Sequence, residues 1–283
     1  MKVNIVDSTF REGLQRPGGE PFENSDAMIS YTDLAGSAAV ADRFEVYMPE
    51  RLKADVWAYI AERYPHLMQV YVGPSHTFDL AERPELADVP QAILSTTLIK
   101  GEPQALSGAR KIFELTGMPI RAGMECSGNQ DPAEAVGRFL EASEVDGVAE
   151  VVIGDSSGRM TTRWIDTFFD ELPQSVQSLG FHLHENGSGS ASENAKRVSE
   201  NARASALDEL TFDATLLGVG DRMGILALSA AAALDSNPER AESARALEAN
   251  AQRLITTAYQ GHGFLDQAAS HFNDSGRLRE EYH

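Results

Sequence analysis

Residues 120–155 read IRAGMECSGNQDPAEAVGRFLEASEVDGVAEVVIGD and predict a strand, a helix and a second strand, in that order. The apolar runs Ile120–Met124 and Ala149–Ile153 show no clean polar alternation, as is typical of strands buried on both faces of a parallel sheet. Between them, Asp131 followed by Pro132 is a helix start signal, because Asp caps a helix and Pro suits its first position. The stretch therefore indicates a βαβ unit of a parallel sheet.

The same alternation continues in both directions and gives eight strand–helix repeats. The predicted strands are Val3–Asp7, Arg43–Tyr47, Met68–Val72, Ala92–Thr96, Ile120–Met124, Ala149–Ile153, Gly180–His184 and Glu209–Thr215. Eight repeats favour a (β/α)8 TIM barrel of the α/β class, with an open doubly wound sheet as the alternative. We expect the barrel to span residues 1–235, and residues 236–283 to add a C-terminal helix, Pro238 to about Thr257, and a tail.

Composition and charge narrow the function classes. The chain has 283 residues, and 43 acidic against 24 basic side chains give a net charge of −19, which disfavours nucleic acid and anionic membranes as partners. With 42% hydrophobic and 24% charged residues, the chain is globular rather than disordered. A single cysteine, Cys126, excludes an internal disulfide framework. No signal-peptide core and no apolar stretch of about 18 residues occurs, so we expect a soluble, cytoplasmic protein.

In a (β/α)8 barrel, catalytic side chains follow the carboxyl ends of the strands. His182 and His184 lie there, two residues apart on one predicted strand, so both imidazoles project from the same face and can bind one metal ion. An incidental or structural role is the alternative for so short a motif. A carboxylate from another strand end would complete a site with open positions, and Glu12, Glu125 and Asp155 all qualify by position.

Two further stretches follow the first and the last strand. Residues 7–15 (DSTFREGLQ) carry Arg11 beside Glu12, either as an ion pair on a surface loop or as a guanidinium aimed at the barrel mouth to stabilise an enolate. In residues 217–225 (LGVGDRMGI), the pair Gly218 and Gly220 before a helix indicates either a phosphate-binding turn or a turn that needs a positive φ.

Together these stretches resemble the metal-dependent Claisen-condensing and lyase enzymes on a TIM barrel that include homocitrate synthase, isopropylmalate synthase and HMG-CoA lyase. DSTFREGLQ resembles the signature D-x-T-L-R-[DE]-G-x-Q, in its homocitrate-synthase form with Glu. HLHENGSG (residues 182–189) resembles H-x-H-N-D-x-G, and GDSSGRMT (154–161) resembles D-T-x-G-x-x-T/P. LGVGDRMGI is similar to the homocitrate-synthase version of the last loop, L-G-I-G-E-R-N-G-I.

The resemblance implies that Glu12, His182 and His184 hold one divalent metal ion, Mg²⁺, Mn²⁺ or Zn²⁺, with Arg11 beside it as a catalytic group. The metal would chelate an α-keto acid and polarise its carbonyl group. The implied enzyme is an acyltransferase that condenses an acyl-CoA, with acetyl-CoA as the expected donor, with that keto acid. The alternative is a lyase or aldolase that cleaves a 3-hydroxyacyl-CoA or a 4-hydroxy-2-oxo acid. Further alternatives are a non-haem iron oxygenase and a non-catalytic barrel that binds a small acid.

Other positions follow from the same resemblance. Glu45, Glu125 and Ser156 lie where related enzymes keep polar groups for the substrate, and Thr96 at a strand end joins the substrate-binding group. The chain departs from the condensing members after the third strand, where GPSH (residues 73–76) replaces Arg-x-His. A carboxylate-binding charge is missing there, so we expect a keto acid other than 2-oxoglutarate. Candidates for the general base are His76, Glu125 and His262.

The C-terminal helix suggests an assembly. Barrels of this family usually dimerise, and the helix follows the last predicted strand, so its apolar stripe is available for an interface. The stripe includes Ala246, Leu247, Leu254 and Ile255. We expect a homodimer, with packing of the helix on its own barrel as the alternative.

Overall fold

The computed structural model describes residues 1–15, 25–37, 39–47, 52–102, 104–126, 128, 130–185, 190–216 and 224–258. Its strands are β1 (Lys2–Asp7), β2 (Arg43–Tyr47), β3 (Met68–Pro74), β4 (Ile93–Leu98), β5 (Ile120–Cys126), β6 (Val148–Asp155), β7 (Ser178–His182) and β8 (Glu209–Ala214). They form a closed barrel in sequence order, and β8 pairs with β1 in parallel along six residues. The prediction of a (β/α)8 barrel is confirmed.

Helices follow the strands in the described part of the chain. They are α1 (Thr9–Gln15), α2 (Ser25–Ser37), α3 (Ala54–Arg63), α4 (Ala105–Thr116), α5 (Pro132–Ser143), α6 (Thr162–Glu171), α7 (Ala191–Ala204), α8 (Leu228–Ala232) and α9 (Pro238–Ala258). Short 3-10 turns, at Pro65–Leu67, Ser75–Thr77, Leu80–Glu82 and Pro84–Asp88, lie on either side of β3. The predicted start of α5 is confirmed, because the Asp131 side chain accepts a hydrogen bond from the Ala133 N–H at 2.8 Å. None of the described helices is both long and apolar enough to span a bilayer.

The seventh strand is shorter at its carboxyl end than predicted. β7 ends at His182, and His184 instead forms an isolated antiparallel bridge with Ile225, from the segment after β8. The Glu185 N–H also donates to the Gly224 carbonyl at 2.6 Å. The chain leaves the barrel here because this later segment, rather than a neighbouring strand, provides its hydrogen-bond partners.

Strand side chains alternate between the helix layer and the barrel interior. On the outer face Phe181 stacks against Phe169 of α6, with ring centroids 6.3 Å apart. On the inner face, Arg121 of β5 reaches Asp213 of β8 across the barrel. The interior is therefore lined in part by charged side chains, which pair with one another, while the apolar core lies between the strands and the helices.

The C-terminal helix packs on the barrel of its own chain. Ala244 and Leu247 of α9 are buried, and α9 lies against α2 and α8. Ala246 is exposed, and the side chains of Leu254 and Ile255 lie outside the described set. Leu247 thus packs on the barrel of its own chain, which was the alternative to an interface for this helix. The homodimer stays a prediction.

Candidate metal centre

Glu12, His182 and His184, which we call the ligand triad, meet at the carboxyl-terminal end of the barrel. Glu12 lies on α1, whose first turn is held against the end of β1 because the Asp7 carboxylate accepts a hydrogen bond from the Thr9 N–H at 3.0 Å. His182 ends β7, and His184 follows it. Glu12 is far from the two histidines in the sequence and becomes their neighbour because β8 closes the barrel between β7 and β1.

The geometry of the ligand triad fits one metal ion. Its three donor atoms lie within 4.8 Å of one another, and Glu12 Oε1 lies 3.8 Å from His182 Nε2. Donors at about 2.1 Å from one ion lie roughly 3.4 Å apart in tetrahedral coordination, so the three side chains would move closer together on binding. Glu12 and His184 are buried, and the two imidazole centroids are 4.7 Å apart. These side chains are therefore a candidate site for one divalent cation.

Hydrogen bonds fix which ring nitrogen each histidine presents. His184 Nδ1 lies 2.6 Å from the Asp155 carbonyl oxygen, which can only accept, so Nδ1 carries the hydrogen and Nε2 is the ligating atom. His182 Nδ1 lies 2.9 Å from Asp213 Oδ2. Carbonyl and carboxylate partners on the second nitrogen are the usual supports of metal-binding histidines. Both imidazoles are therefore oriented for ligation by Nε2.

Asp213 is held as a carboxylate. Burial alone would raise its pKa, but the Arg121 guanidinium and the His182 hydrogen bond lower the pKa well below its usual range. In turn, burial would lower the His182 pKa, and the hydrogen bond to Asp213, with the Glu12 charge, raises it. His182 Nδ1 accordingly donates to an ionised Asp213. A metal ion at Nε2 competes with a proton for the same lone pair.

Arg11 stands beside the ligand triad with donor capacity left over. Its Nη1 lies 3.0 Å from Glu12 Oε1 and 3.4 Å from Glu45 Oε2, and the guanidinium carbon lies 4.6 Å from the ring centroid of Tyr71. Burial would lower its pKa, but Glu45 and Glu12 raise the pKa above the ordinary value, so the group stays cationic. Among the described residues, no group accepts a hydrogen bond from Arg11 Nε.

Glu45, predicted to bind substrate, is bonded to protein groups inside the barrel. Its oxygens accept hydrogen bonds from Ser8 Oγ at 3.0 Å and from Gln69 Nε2 at 2.7 Å, and its carboxylate also pairs with Arg11. Burial would raise its pKa, but the Arg11 and Arg121 charges lower it, so Glu45 is ionised. Glu45 is therefore buried inside the barrel, where its carboxylate holds the Arg11 guanidinium in place.

The structure distinguishes the three candidate carboxylates. Glu12 belongs to the ligand triad, as the resemblance implies. The oxygens of Asp155 accept hydrogen bonds from the Arg159 and Met160 N–H groups at 3.0 and 3.1 Å, so this side chain closes the turn after β6. Burial raises the Asp155 pKa to about 6. Glu125 is half-buried on β5 and shares the inward phase of Arg121, but it is not part of the triad.

The Thr96 and His76 side chains bond to protein groups outside the ligand triad. The Thr96 hydroxyl donates to the Gly73 carbonyl at 2.7 Å, and alternation along β4 turns Thr96 outward with Leu94 and Leu98, which corrects its assignment to substrate binding. His76 Nδ1 pairs with Glu102 Oε2 at 2.8 Å on the β4–α4 connection.

Ser156 is exposed in the turn that follows β6. His262, residues 186–189 and residues 217–223 lie outside the described residues.

Two interior residues were missed from the sequence. Arg121 and Asp213 pair through Nη2 and Oδ1 at 2.6 Å, and Asp213 supports His182. Each is a charged residue at an inward position of the alternation on its strand. That pattern was visible in the sequence and could have marked both residues, although not their pairing.

Comparisons with known proteins support the fold. No protein-family model matches the chain, and the curated proteins give no match. The chain is similar to the solved N-terminal domain of a "putative aldolase" from Bacteroides vulgatus, with 15% identity, a TM-score of 0.61 and coverage of 98% of this chain and 100% of that chain. It also resembles phosphoribosyl anthranilate isomerase from Thermococcus kodakaraensis, with 16% identity, a TM-score of 0.45 and coverage of 82% and 97%. At such identities, the likeness concerns the fold alone.

Proposed function

We propose that this protein is a metal-dependent carbon–carbon lyase of the aldolase type, acting on a substrate with a 2-oxo acid group. The observation that carries the proposal is the ligand triad with the Arg11 guanidinium hydrogen-bonded to one of its members, at the carboxyl-terminal end of a (β/α)8 barrel. A cation site next to a permanently charged donor suits a reaction in which negative charge develops on oxygen. The description of the Bacteroides vulgatus neighbour is in keeping with this class.

The roles divide among the chain's own residues. Glu12, His182 and His184 would hold the ion, which when bound supplies Lewis-acid polarisation of a carbonyl oxygen. Arg11 is kept at the mouth by Glu45 below and the Tyr71 ring beside it, and it stabilises the developing oxyanion. Glu125 is our choice of general base, since it lies at an inward position near the end of β5, whereas the His76 imidazole pairs with Glu102.

Charge supports a substrate with one carboxylate. Within the described interior network, three arginines face four carboxylates, so with neutral histidines the net charge is −1, and one divalent cation would reverse it to +1. Each of these arginines is already paired with an acid. A second substrate carboxylate would lack a paired cation among them, which favours a monocarboxylic 2-oxo acid over 2-oxoglutarate.

Condensation of an acyl-CoA with a 2-oxo acid is the second candidate. It rests on the sequence observation that Glu12 stands in the first motif and that residues 217–225 are close to the homocitrate-synthase form of the last loop. The same metal and Arg11 would serve an acyltransferase, because condensation and cleavage pass through related enolates. The two candidates therefore differ in substrate rather than in the ligand triad.

The test offers the metal-free protein, reloaded with Mg²⁺, Mn²⁺ or Zn²⁺, two sets of substrates. One set is a panel of 4-hydroxy-2-oxo acids and 3-hydroxy-3-methylglutaryl-CoA, with release of the 2-oxo acid or acetyl-CoA as the readout. The other is acetyl-CoA with mono- and dicarboxylic 2-oxo acids, with free thiol as the readout. We expect metal-dependent cleavage that is lost in Glu12→Ala. Condensation without cleavage would establish the second candidate, and activity unaffected by chelation would remove both.

A further inference from the structure

Arg121 and Asp213 form a buried ion pair next to the ligand triad. Both side chains are 3% exposed, one on β5 and the other on β8. Arg121 Nη2 donates to Asp213 Oδ1 at 2.6 Å, and Nη1 donates to Oδ2 at 3.3 Å. A two-point contact of this kind fixes the plane of the carboxylate as well as its position.

The orientation is passed on to a histidine of the triad. Asp213 Oδ2, the oxygen that accepts from Arg121 Nη1, also faces His182 Nδ1 at 2.9 Å. The plane that Arg121 imposes on the carboxylate therefore sets the rotation of the His182 ring. Groups that hold the second nitrogen of a metal-binding imidazole control where the first nitrogen points.

Arg121 also reaches the other half of the site. Its Nη1 lies 4.0 Å from Glu45 Oε1, and Glu45 Oε2 lies 3.4 Å from Arg11 Nη1. Charges thus alternate from Arg11 through Glu45 and Arg121 to Asp213, which contacts His182, inside the barrel. Removal of Arg121 would leave two buried carboxylates without the cation between them, and such carboxylates would move or take up water.

We infer that Arg121 is a positioning residue of the proposed metal centre, which orients His182 through Asp213 and steadies Arg11 through Glu45. The inference rests on the proposed function, because it assumes a divalent ion at the ligand triad. A purely structural ion cluster is the competing explanation. The two explanations differ in whether loss of Arg121 weakens metal binding more than loss of another arginine in the same network.

Arg43 provides the matched control. It belongs to β2, is mostly buried and pairs with Glu150 Oε2 at 2.6 Å. Arg121 Nε lies 3.4 Å from the same Glu150 oxygen, so both arginines belong to one ion cluster. The hydrogen bonds to Asp213 described above come from Arg121 and not from Arg43. Arg43→Gln therefore removes an equivalent charge without removing the hydrogen bonds that Arg121 donates to Asp213.

The experiment measures Mn²⁺ and Zn²⁺ affinity by competition with a chromophoric chelator, together with melting temperature. The variants are Arg121→Gln, Arg121→Lys, Asp213→Asn and Arg43→Gln. We expect Arg121→Gln and Asp213→Asn to bind metal about 10- to 100-fold more weakly. Arg43→Gln should keep near wild-type affinity, although it loses stability as Arg121→Gln does. Arg121→Lys retains the charge without the two-point contact and should fall between.

Wild-type affinity in folded Arg121→Gln would overturn the inference, and so would an equal loss of affinity in Arg43→Gln, which would indicate a structural cluster. If Arg121→Gln does not fold, Arg121→Lys and Asp213→Asn decide by the same comparison with Arg43→Gln. A wild-type protein that binds neither ion would overturn the proposed function itself, before any variant is compared.

Discussion

Arg240 at the amino-terminal end of the barrel and Arg11 at the carboxyl-terminal end are both largely buried beside acidic residues, yet their donors are used differently. Arg240 donates to the carbonyls of Val3 and Val40 at 2.9 and 3.0 Å, and it pairs with Asp42 and Asp235. It ties α9 to the starts of β1 and β2.

Arg11 instead bonds Glu12 and Glu45 through one nitrogen, Nη1, and its Nε has no acceptor among the described residues. An arginine whose three nitrogens all bond to protein acceptors stabilises the fold, whereas one with an unused nitrogen next to possible metal ligands is suited to bind a ligand. The difference predicts that substitutions at the amino-terminal end of the barrel reduce stability. Substitutions at the carboxyl-terminal end should instead reduce metal binding and catalysis.

The largest effect is expected at the ligand triad. His182→Ala and His184→Ala should lose bound metal and reduce activity by about 10³-fold or more, since a catalytic metal supplies several kcal/mol of transition-state stabilisation. Metal content by elemental analysis and steady-state rates check this. His66→Ala is the control, because His66 is exposed on a surface turn. Full metal content in either triad variant would mean that the site is misassigned.

Arg240→Ala should come next, as a loss of stability. The substitution leaves the carbonyls of Val3 and Val40 without their hydrogen-bond donor, and it leaves two carboxylates, Asp42 and Asp235, without their cation. We expect it to lower the free energy of unfolding by about 3 kcal/mol or more. Urea unfolding measures this, and metal affinity serves as the internal control. Unchanged stability, or a selective loss of metal binding, would break the contrast between the two ends.

Arg11→Ala should reduce activity by about 10²-fold, or about 2.7 kcal/mol, if it stabilises charge in the transition state. We expect metal content to be retained and stability to change less than in Arg240→Ala. The expected rate loss lies in kcat, because the interaction strengthens as charge develops. Arg11→Lys keeps the charge without the guanidinium geometry and is the matched comparison. An Arg11→Ala enzyme with full activity would falsify the proposed role.

The smallest expected effect is on how the stability contributed by Arg240, at the amino-terminal end of the barrel, depends on pH. Burial would raise the pKa of Asp235, but the hydrogen bond and charge of Arg240 lower it below its usual value. A lowered folded-state pKa stabilises the protein above the unfolded value of about 3.9, and this contribution is lost as the pH falls through the folded-state value. The stability gap between wild type and Arg240→Gln should therefore narrow below about pH 4. Unfolding curves from pH 3 to 7 would test this, and a constant gap would contradict it.

Much of the candidate site at the carboxyl-terminal end of the barrel was predictable from local sequence patterns. Short apolar runs alternating with helix start signals indicate the barrel, and the barrel rule then directs attention to the residues after each strand. Thr96 shows where the same rule was applied too loosely. Leu94 and Leu98 share its phase on β4, so the sequence itself argued for an outward hydroxyl and left Ser95 and Thr97 on the inner face.

The sequence by itself determined the order of the strands and the presence of carboxylate and imidazole side chains at the ends of β1 and β7, which are the side-chain types that bind metal ions. Only the tertiary structure decided the partners: Asp213 with His182, Arg121 with Asp213, His76 with Glu102. The physical reason is that phase and propensity are local properties of the chain, read over a few residues. Which side chains meet inside the barrel depends on its closure, which brings strands far apart in sequence within hydrogen-bonding distance.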